Sequence, residues 1–280
     1  MKIKILTDSA SEFTKEELKK YDVINLEMPL SIDGEEIKNE TLDDFWRRLI
    51  NGAVSKTSQI PQQCLMEEFL KSQKEGYYLI AIFISSSLSA TYNSAKLIKE
   101  EFSLSNVYVI DSLNATIGEK VLVKKACSLR DQNYSVEEIV SQLEDYKKRI
   151  RLYACIDTLK YLARGGRISP HLANIGNLVR IKPIITISSE GKVEILDKKI
   201  GLSMAMKTLF NLVEKDEIDL KEKIYPLYAY DITNAQNFIN YLLNDKKEYQ
   251  KDLEEYSCIG QVIGTHIGPG GFGIVYVIKN

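Results

Sequence analysis

Histidine is scarce in this chain of 280 residues, where only His171 and His266 occur, and the four cysteines, Cys64, Cys127, Cys155 and Cys258, stand far apart with no C-x-x-C pair. Zinc sites are built from clustered thiolates and imidazoles, so no metal site is expected. No apolar run approaches the length that spans a bilayer, and the opening "MKIKILTDSASEF" turns polar too early for a signal peptide. Scattered thiols and the missing export signal predict a cytoplasmic protein without stable membrane insertion. The net charge is only −2, from 37 basic and 39 acidic residues, which offers no general attraction to nucleic acid. The G-x-x-x-x-G-K-[ST] pattern of ATP-binding loops is absent, and no other cofactor motif replaces it.

What is present is a chain with 44% hydrophobic and 27% charged residues, long enough for two domains. In the first half, short apolar runs alternate with longer amphipathic ones. "KIKILTD", "VINLEMPLSI", "YLIAIFIS" and "VYVIDS" read as strands, and "TLDDFWRRLING", "QQCLMEEFLKSQKEG", "SATYNSAKLIKEEF", "NATIGEKVLVKKACSLRDQ" and "SVEEIVSQLEDYKKRI" read as helices. The expected fold class is α/β in two domains: residues 1–150 form a largely parallel sheet with flanking helices, and residues 151–280 a mixed sheet with helices. In the second half "RLYACID", "KPIITIS", "GKVEIL", "IYPLYAY", "YSCIGQVIGTHIG" and "FGIVYVI" read as strands, with helices near 202–214 and 233–244.

"GTHIGPGGFG" at residues 264–273 matches the letters G-x-G-x-x-G, but a dinucleotide fingerprint requires a strand before the glycines and a helix after them. Here "IVYVIKN" follows and reads as a strand, so the glycines are expected to form a turn between two strands.

Hydroxyls carry the clearest chemical signal. In "FISSSLSATYNSA" a buried-looking strand runs into Ser85, Ser86, Ser87 and Ser89 and then a helix, with Ser89 as the expected N-cap. This is the carboxyl end of a strand, where α/β sheets bind ligands, and the first helical turn offers N–H groups to an anion. Capping and anion binding are compatible readings of Ser89. "KTSQIP" places Thr57 and Ser58 before another helix, either as a helix-entry turn or as the other side of an anion site. "TDSAS" and "VIDSLNAT" end strands with Asp8-Ser9 and Asp111-Ser112, suited to turn formation at a shared rim, with Ser9 as a further ligand contact.

A serine-dependent hydrolase or transferase of acyl or phosphoryl groups using Ser89 and His266 is the alternative, although "SSSLSAT" is not the G-x-S-x-G elbow of a nucleophile. "YLARGGRISPHLANIGNLV" combines Arg164 and Arg167, expected to face solvent or a partner, with a helical stripe of Ile168, Leu172, Ile175 and Leu178. That stripe is either ordinary core or the lining of an apolar cavity.

Taken in order, "TDSAS", "KTSQ", "ISSSLSATYNSA", "VIDSLNATIG", "YLARGGRIS", "KPIITI" and "GTHIGPGGFG" resemble the motifs of the DegV family of fatty-acid-binding proteins along essentially the whole chain. The resemblance implies a two-domain α/β protein holding one long-chain fatty acid in a tunnel between or within its domains. Carried over by motif, Thr57 and Ser89 would bind the carboxylate, with Ser58, Ala90, His266 and Ser9 near the head group. It further implies a carrier with no catalytic residue of its own, presenting the acid to a separate fatty acid kinase subunit. The sequence departs from the family pattern at Ser87 and Ala90, where glycines are usual, and at Ile200, where an arginine often stands.

Overall fold

A computed structural model of the chain describes residues 2–169, 171 and 180–280. In chain order the helices are α1 (Lys15–Tyr21), α2 (Leu42–Ile50), α3 (Gln62–Glu75), α4 (Thr91–Glu101), α5 (Ile117–Asp131), α6 (Val136–Tyr146), α7 (Lys160–Arg164), α8 (Leu202–Lys215), α9 (Thr233–Asp245) and α10 (Gln261–Ile267). The strands are β1 (Ile3–Asp8), β2 (Val23–Leu26), β3 (Leu30–Ile32), β4 (Glu35–Glu36), β5 (Ser55–Thr57), β6 (Tyr78–Phe83), β7 (Val107–Asp111), β8 (Ile150–Cys155), β9 (Ile181–Ile187), β10 (Val193–Ile200), β11 (Tyr225–Tyr228), β12 (Ser257–Cys258) and β13 (Phe272–Val277). Among the described residues no helix is long and apolar enough to cross a membrane.

The chain divides into two compact units, the first made of residues 1–29, 57–148 and 189–192, the second of 30–56, 149–188 and 193–280. The passage at residues 148–149 is thus one of five points at which the backbone moves from one unit to the other.

The first unit is a parallel sheet in the order β2-β1-β6-β7, with Ile5 opposite Val23, Ile3 opposite Tyr78 and Leu79 opposite Val107. Leu79, Ile80, Ala81, Ile82 and Phe83 of β6 are all fully buried, because helices cover it: α3 with α4, and α5 with α6, form two pairs that pack on this strand. The strand order reverses direction beside β1, since β2 lies to one side of it and β6 with β7 to the other. Such a switch point opens a crevice at the carboxyl ends of its two strands, here at Asp8 and at the residues after Phe83.

Helix α1 has no buried residue, so it lacks the apolar stripe that marks the other helices; a capping box between Thr14 and Glu17 and a left-handed Asp22 define its ends. The run "VINLEMPLSI", expected as a single strand, is broken at Glu27–Pro29 into β2 and β3. Proline at 29 cannot donate to a ladder, and β3 instead joins β4 and β5 in a small separate sheet.

The second unit is a mixed sheet in the order β10-β9-β8-β13-β11-β12, antiparallel except for the β11–β12 pair. Its core gathers Cys155, Ile184, Leu209, Val213, Phe238, Leu242, Phe272, Ile274 and Tyr276 from the sheet and from α8 and α9. "YSCIGQVIGTHIG" is not the expected strand. Only Ser257–Cys258 pairs, and residues 261–267 form α10, so the glycine turn joins a helix to a strand. The reason is packing: Gly264 presses against the Trp46 and Phe45 rings of α2, where a Cβ would come within 2.7 Å of Trp46 Cη2. Gly268, at φ +72°, then turns the chain, its N–H returning to the Gly264 carbonyl.

Candidate functional site

The serine segment leaves β6 as a compact turn. The Ser85 carbonyl accepts from Leu88 N–H at 2.9 Å and from Ser89 N–H at 3.0 Å. Because this turn continues into a helical conformation at Ala90, α4 begins one residue later than expected, with Ala90 and not Ser89 as its N-cap. Ser89 is buried, and its Oγ accepts from Thr91 N–H at 3.3 Å and lies 3.0 Å from Thr91 Oγ1.

Thr91 connects the two hydroxyl-bearing motifs. Its Oγ1 accepts from Ile60 N–H at 3.3 Å, and Ser94 Oγ donates to Gln59 Oε1 at 3.1 Å, so "KTSQIP" is bound to the first turns of α4. Thr57 is half-buried at the end of β5 and Ser58 is exposed, its N–H donating to the Pro29 carbonyl at 2.9 Å. Ser9 lies at the end of β1, where its Oγ accepts from Met28 N–H at 2.9 Å. Ala90 is exposed.

The serines of the turn divide their work. Ser85 is fully buried and accepts from Ser87 N–H at 3.2 Å, while Ser87 Oγ donates to the Glu190 carbonyl at 2.8 Å. Gly191, in the turn between β9 and β10, comes so close to Ser85 Oγ that a side chain there would overlap it. Ser87, one of the departures from the family pattern, therefore fastens residues 189–192 within this unit.

Beneath this rim lie two buried carboxyls. Asp8 is fully buried, and desolvation raises its pKa to about 6 against the lowering effect of N–H donors from Ile84 and Ala10. Glu119 on α5 is fully buried too, accepts from Thr7 Oγ1 at 3.0 Å, and is raised well above the ordinary value by desolvation and by Asp8. Among the described residues no group of three or more His, Cys, Asp or Glu side chains is arranged to hold a metal ion.

In the second unit His266 occupies the last turn of α10, which packs on α7. Gly165 abuts its ring, and any side chain at that position would overlap the imidazole. Burial, then the charges of Arg167 and Arg164, lower the His266 pKa to about 4, so the ring is neutral at physiological pH. Arg164 is exposed and stacks over the Tyr161 ring at 5.1 Å, as expected of a solvent-facing residue. Arg167 is instead half-buried, and its guanidinium donates to the Gly165 carbonyl. A neutral imidazole with two guanidinium groups in its field suits an anion. Ile168 is buried; Leu172, Ile175 and Leu178 lie outside the described residues. Ile200, at the end of edge strand β10, is 73% exposed.

Thr91 and Gln59 are the participants that sequence reasoning missed. An i to i+2 hydroxyl contact at a turn has no periodic signature, and Gln59 acts through a residue 35 positions away.

An α/β protein with hydroxyl-bearing turns at a sheet switch point is the class that this geometry defines. Its family follows from comparison: the family described as "Uncharacterised protein, DegV family" matches residues 2–279, and the chain belongs to it. A DegV domain-containing protein of Caldanaerobacter subterraneus subsp. tengcongensis is 32% identical over 281 residues, covering 99% of both chains. The fatty acid binding DegV family protein of Streptococcus agalactiae superposes with a TM-score of 0.88 at 27% identity, covering 100% of both chains. DegV of Bacillus subtilis, described as a fatty acid binding protein, gives 0.82 at 26% identity over the same coverage.

Proposed function

We propose that this protein binds one long-chain fatty acid, its carboxylate held by Thr57 and Ser89 and its acyl chain buried along an apolar lining that includes Ile168, Leu172, Ile175 and Leu178. The observation that carries this reading is the linkage of the two hydroxyl motifs through Thr91 at the switch-point end of β6. It is supported by the relatives from S. agalactiae and B. subtilis, whose described role is fatty acid binding.

The energetics fit this division. About fourteen buried methylenes at ~0.8 kcal/mol each supply roughly 11 kcal/mol before the costs of association. Hydroxyls around a carboxylate add orientation and offset its desolvation. His266 stands near the head group as a neutral ring able to hydrogen-bond it, and Ser58, Ala90 and Ser9 complete its surroundings. No chemistry on the acid is required of these residues, so the protein acts as a carrier that presents the acid to a separate kinase subunit. Arg164 meets that subunit at the surface, Arg167 contributing from its half-buried position.

Denaturing the purified protein and extracting it into organic solvent is expected to release about one equivalent of a long-chain acid, read by mass spectrometry. Extracts repeatedly empty of lipid, together with failure to take up added palmitate, would overturn the reading.

A further inference from the structure

The backbone that delivers the serines leaves β6 through three consecutive amides, each held from a different place. Ile84 N–H donates to Asp8 Oδ2 at 3.0 Å, Ser85 N–H to the Asn114 carbonyl at 2.8 Å, and Ser86 N–H to Asp111 Oδ1 at 3.1 Å. Asp8 ends β1 and Asp111 ends β7, the strands on either side of β6. The Ser85 carbonyl then receives Ser89 N–H, so the position of Ser89 is inherited from these bonds. Local capping does not account for them, since Asp8 lies 76 positions from Ile84 and Asp111 lies 25 from Ser86.

Neither aspartate suits direct contact with a carboxylate ligand, because like charges would repel. Both are already engaged by donors: Asp8 Oδ1 also accepts from Ala10 N–H at 2.8 Å, and Asp111 Oδ1 also accepts from Leu113 N–H at 3.0 Å. Leu113 has a φ of 51°, in the left-handed region, so the Asp111 oxygen secures a turn that the backbone alone disfavours. A single acceptor thereby fixes the exits of both β6 and β7.

We propose that Asp111 and Asp8 are positioning residues of the head-group site: they hold the amides of residues 84–86 so that the Ser89 hydroxyl meets the ligand carboxylate, without touching the ligand. This inference rests on the fatty-acid reading given above. Its value lies in preorganisation, since a turn already fixed in the binding geometry loses less freedom when ligand arrives.

Asp111, half-buried, gives the cleaner test. Asp111→Ala removes the shared acceptor, whereas Asp111→Asn keeps a carbonyl oxygen in its place and discards only the charge. With delipidated full-length protein and a fluorescent long-chain fatty acid, Asp111→Ala is expected to weaken binding on the order of tenfold, the scale of one charge-assisted hydrogen bond. Asp111→Asn is expected to stay within about threefold of wild type, at the same tenfold-per-1.4 kcal/mol scale. Wild-type affinity in Asp111→Ala, or equal losses in both variants, would overturn the positioning role. If Asp111→Ala gives no cooperative melt, Asp111→Asn decides alone, and a loss of about tenfold or more in it overturns the proposal. Ser89→Ala, measured alongside, separates the two ideas: a loss there with none in Asp111→Ala sinks positioning and keeps the head-group site. Wild-type protein that binds no probe removes both.

Discussion

Ser89 Oγ and Thr91 Oγ1 lie 3.0 Å apart, and the Thr91 oxygen also receives the Ile60 amide, so one buried hydroxyl ties the loop before α3 to the start of α4. Thr91→Val keeps the shape of the side chain and deletes this junction. Leaving the buried Ile60 N–H without its acceptor is expected to cost about 1–3 kcal/mol. Guanidinium denaturation of the delipidated protein measures it; a variant as stable as wild type would show that Thr91 is not the connection.

Ser89→Ala removes the hydroxyl assigned to the ligand carboxylate. A hydrogen bond to a charged group contributes about 1.5–3 kcal/mol, so retention of a long-chain acid is expected to fall by roughly ten- to a hundredfold while the melt stays cooperative. Unchanged retention takes Ser89 out of the head-group site.

His266 gives a pH signature. Its folded pKa is lowered from 6.5 to about 4, so its contribution to stability is complete above pH 6.5 and is lost as pH falls from there toward 4. The imidazole signals in an NMR titration of the lipid-free protein should stay in the neutral form down to about pH 5. A carboxylate beside the ring favours the charged form, so loading with palmitate should raise the His266 pKa. A value that does not move on loading places the head group elsewhere.

Glu119 acts in the opposite sense. Its folded pKa lies well above 4.5, so its stabilising contribution is full below that value and declines as pH rises through the folded one; Asp8, raised from 3.8 to about 6, follows the same sign. Glu119→Gln is neutral at every pH and still offers Thr7 an acceptor. Denaturant midpoints should favour the variant increasingly as pH is raised above 4.5. Parallel curves for the two proteins would mean that the buried carboxyl does not titrate in this range.

Trp46 is the sole tryptophan, and Gly264 lies against its ring, so Gly264→Ala reports on itself. A methyl group 2.7 Å from Trp46 Cη2 and 3.0 Å from Phe45 Cε1 has no flexible neighbour to displace. Overpacking of this kind costs about 1–3 kcal/mol, and it should be accompanied by a change in tryptophan emission. A variant with wild-type stability and spectrum would mean that α10 shifts freely on α2.

The parallel sheet of the first unit was readable because β6 is a continuous apolar run ending in serines, and a run buried on both faces has few other uses. The hydroxyl motifs were legible as residue types at strand ends. Their connection was not, since Thr91, Gln59 and Ile60 meet through tertiary contacts that no spacing rule encodes. Helix α1 escaped because it buries nothing, although Thr14 and Glu17 carry a capping signal three residues apart. Helix α10 escaped for the reverse reason: "QVIGTHI" has glycine and β-branched residues of low helix propensity, and packing of Gly264 on Trp46 overrides them. The stripe through Leu172, Ile175 and Leu178 remains a proposal drawn from periodicity.

The five passages of backbone between the two units bear on how the protein is made. Residues 189–192 supply the Glu190 carbonyl for Ser87 and the close approach of Gly191 to Ser85. A ribosome therefore has to release two thirds of the polypeptide before the serine turn can acquire its last neighbours. Neither half, cut at residue 150 and expressed by itself, contains a complete unit.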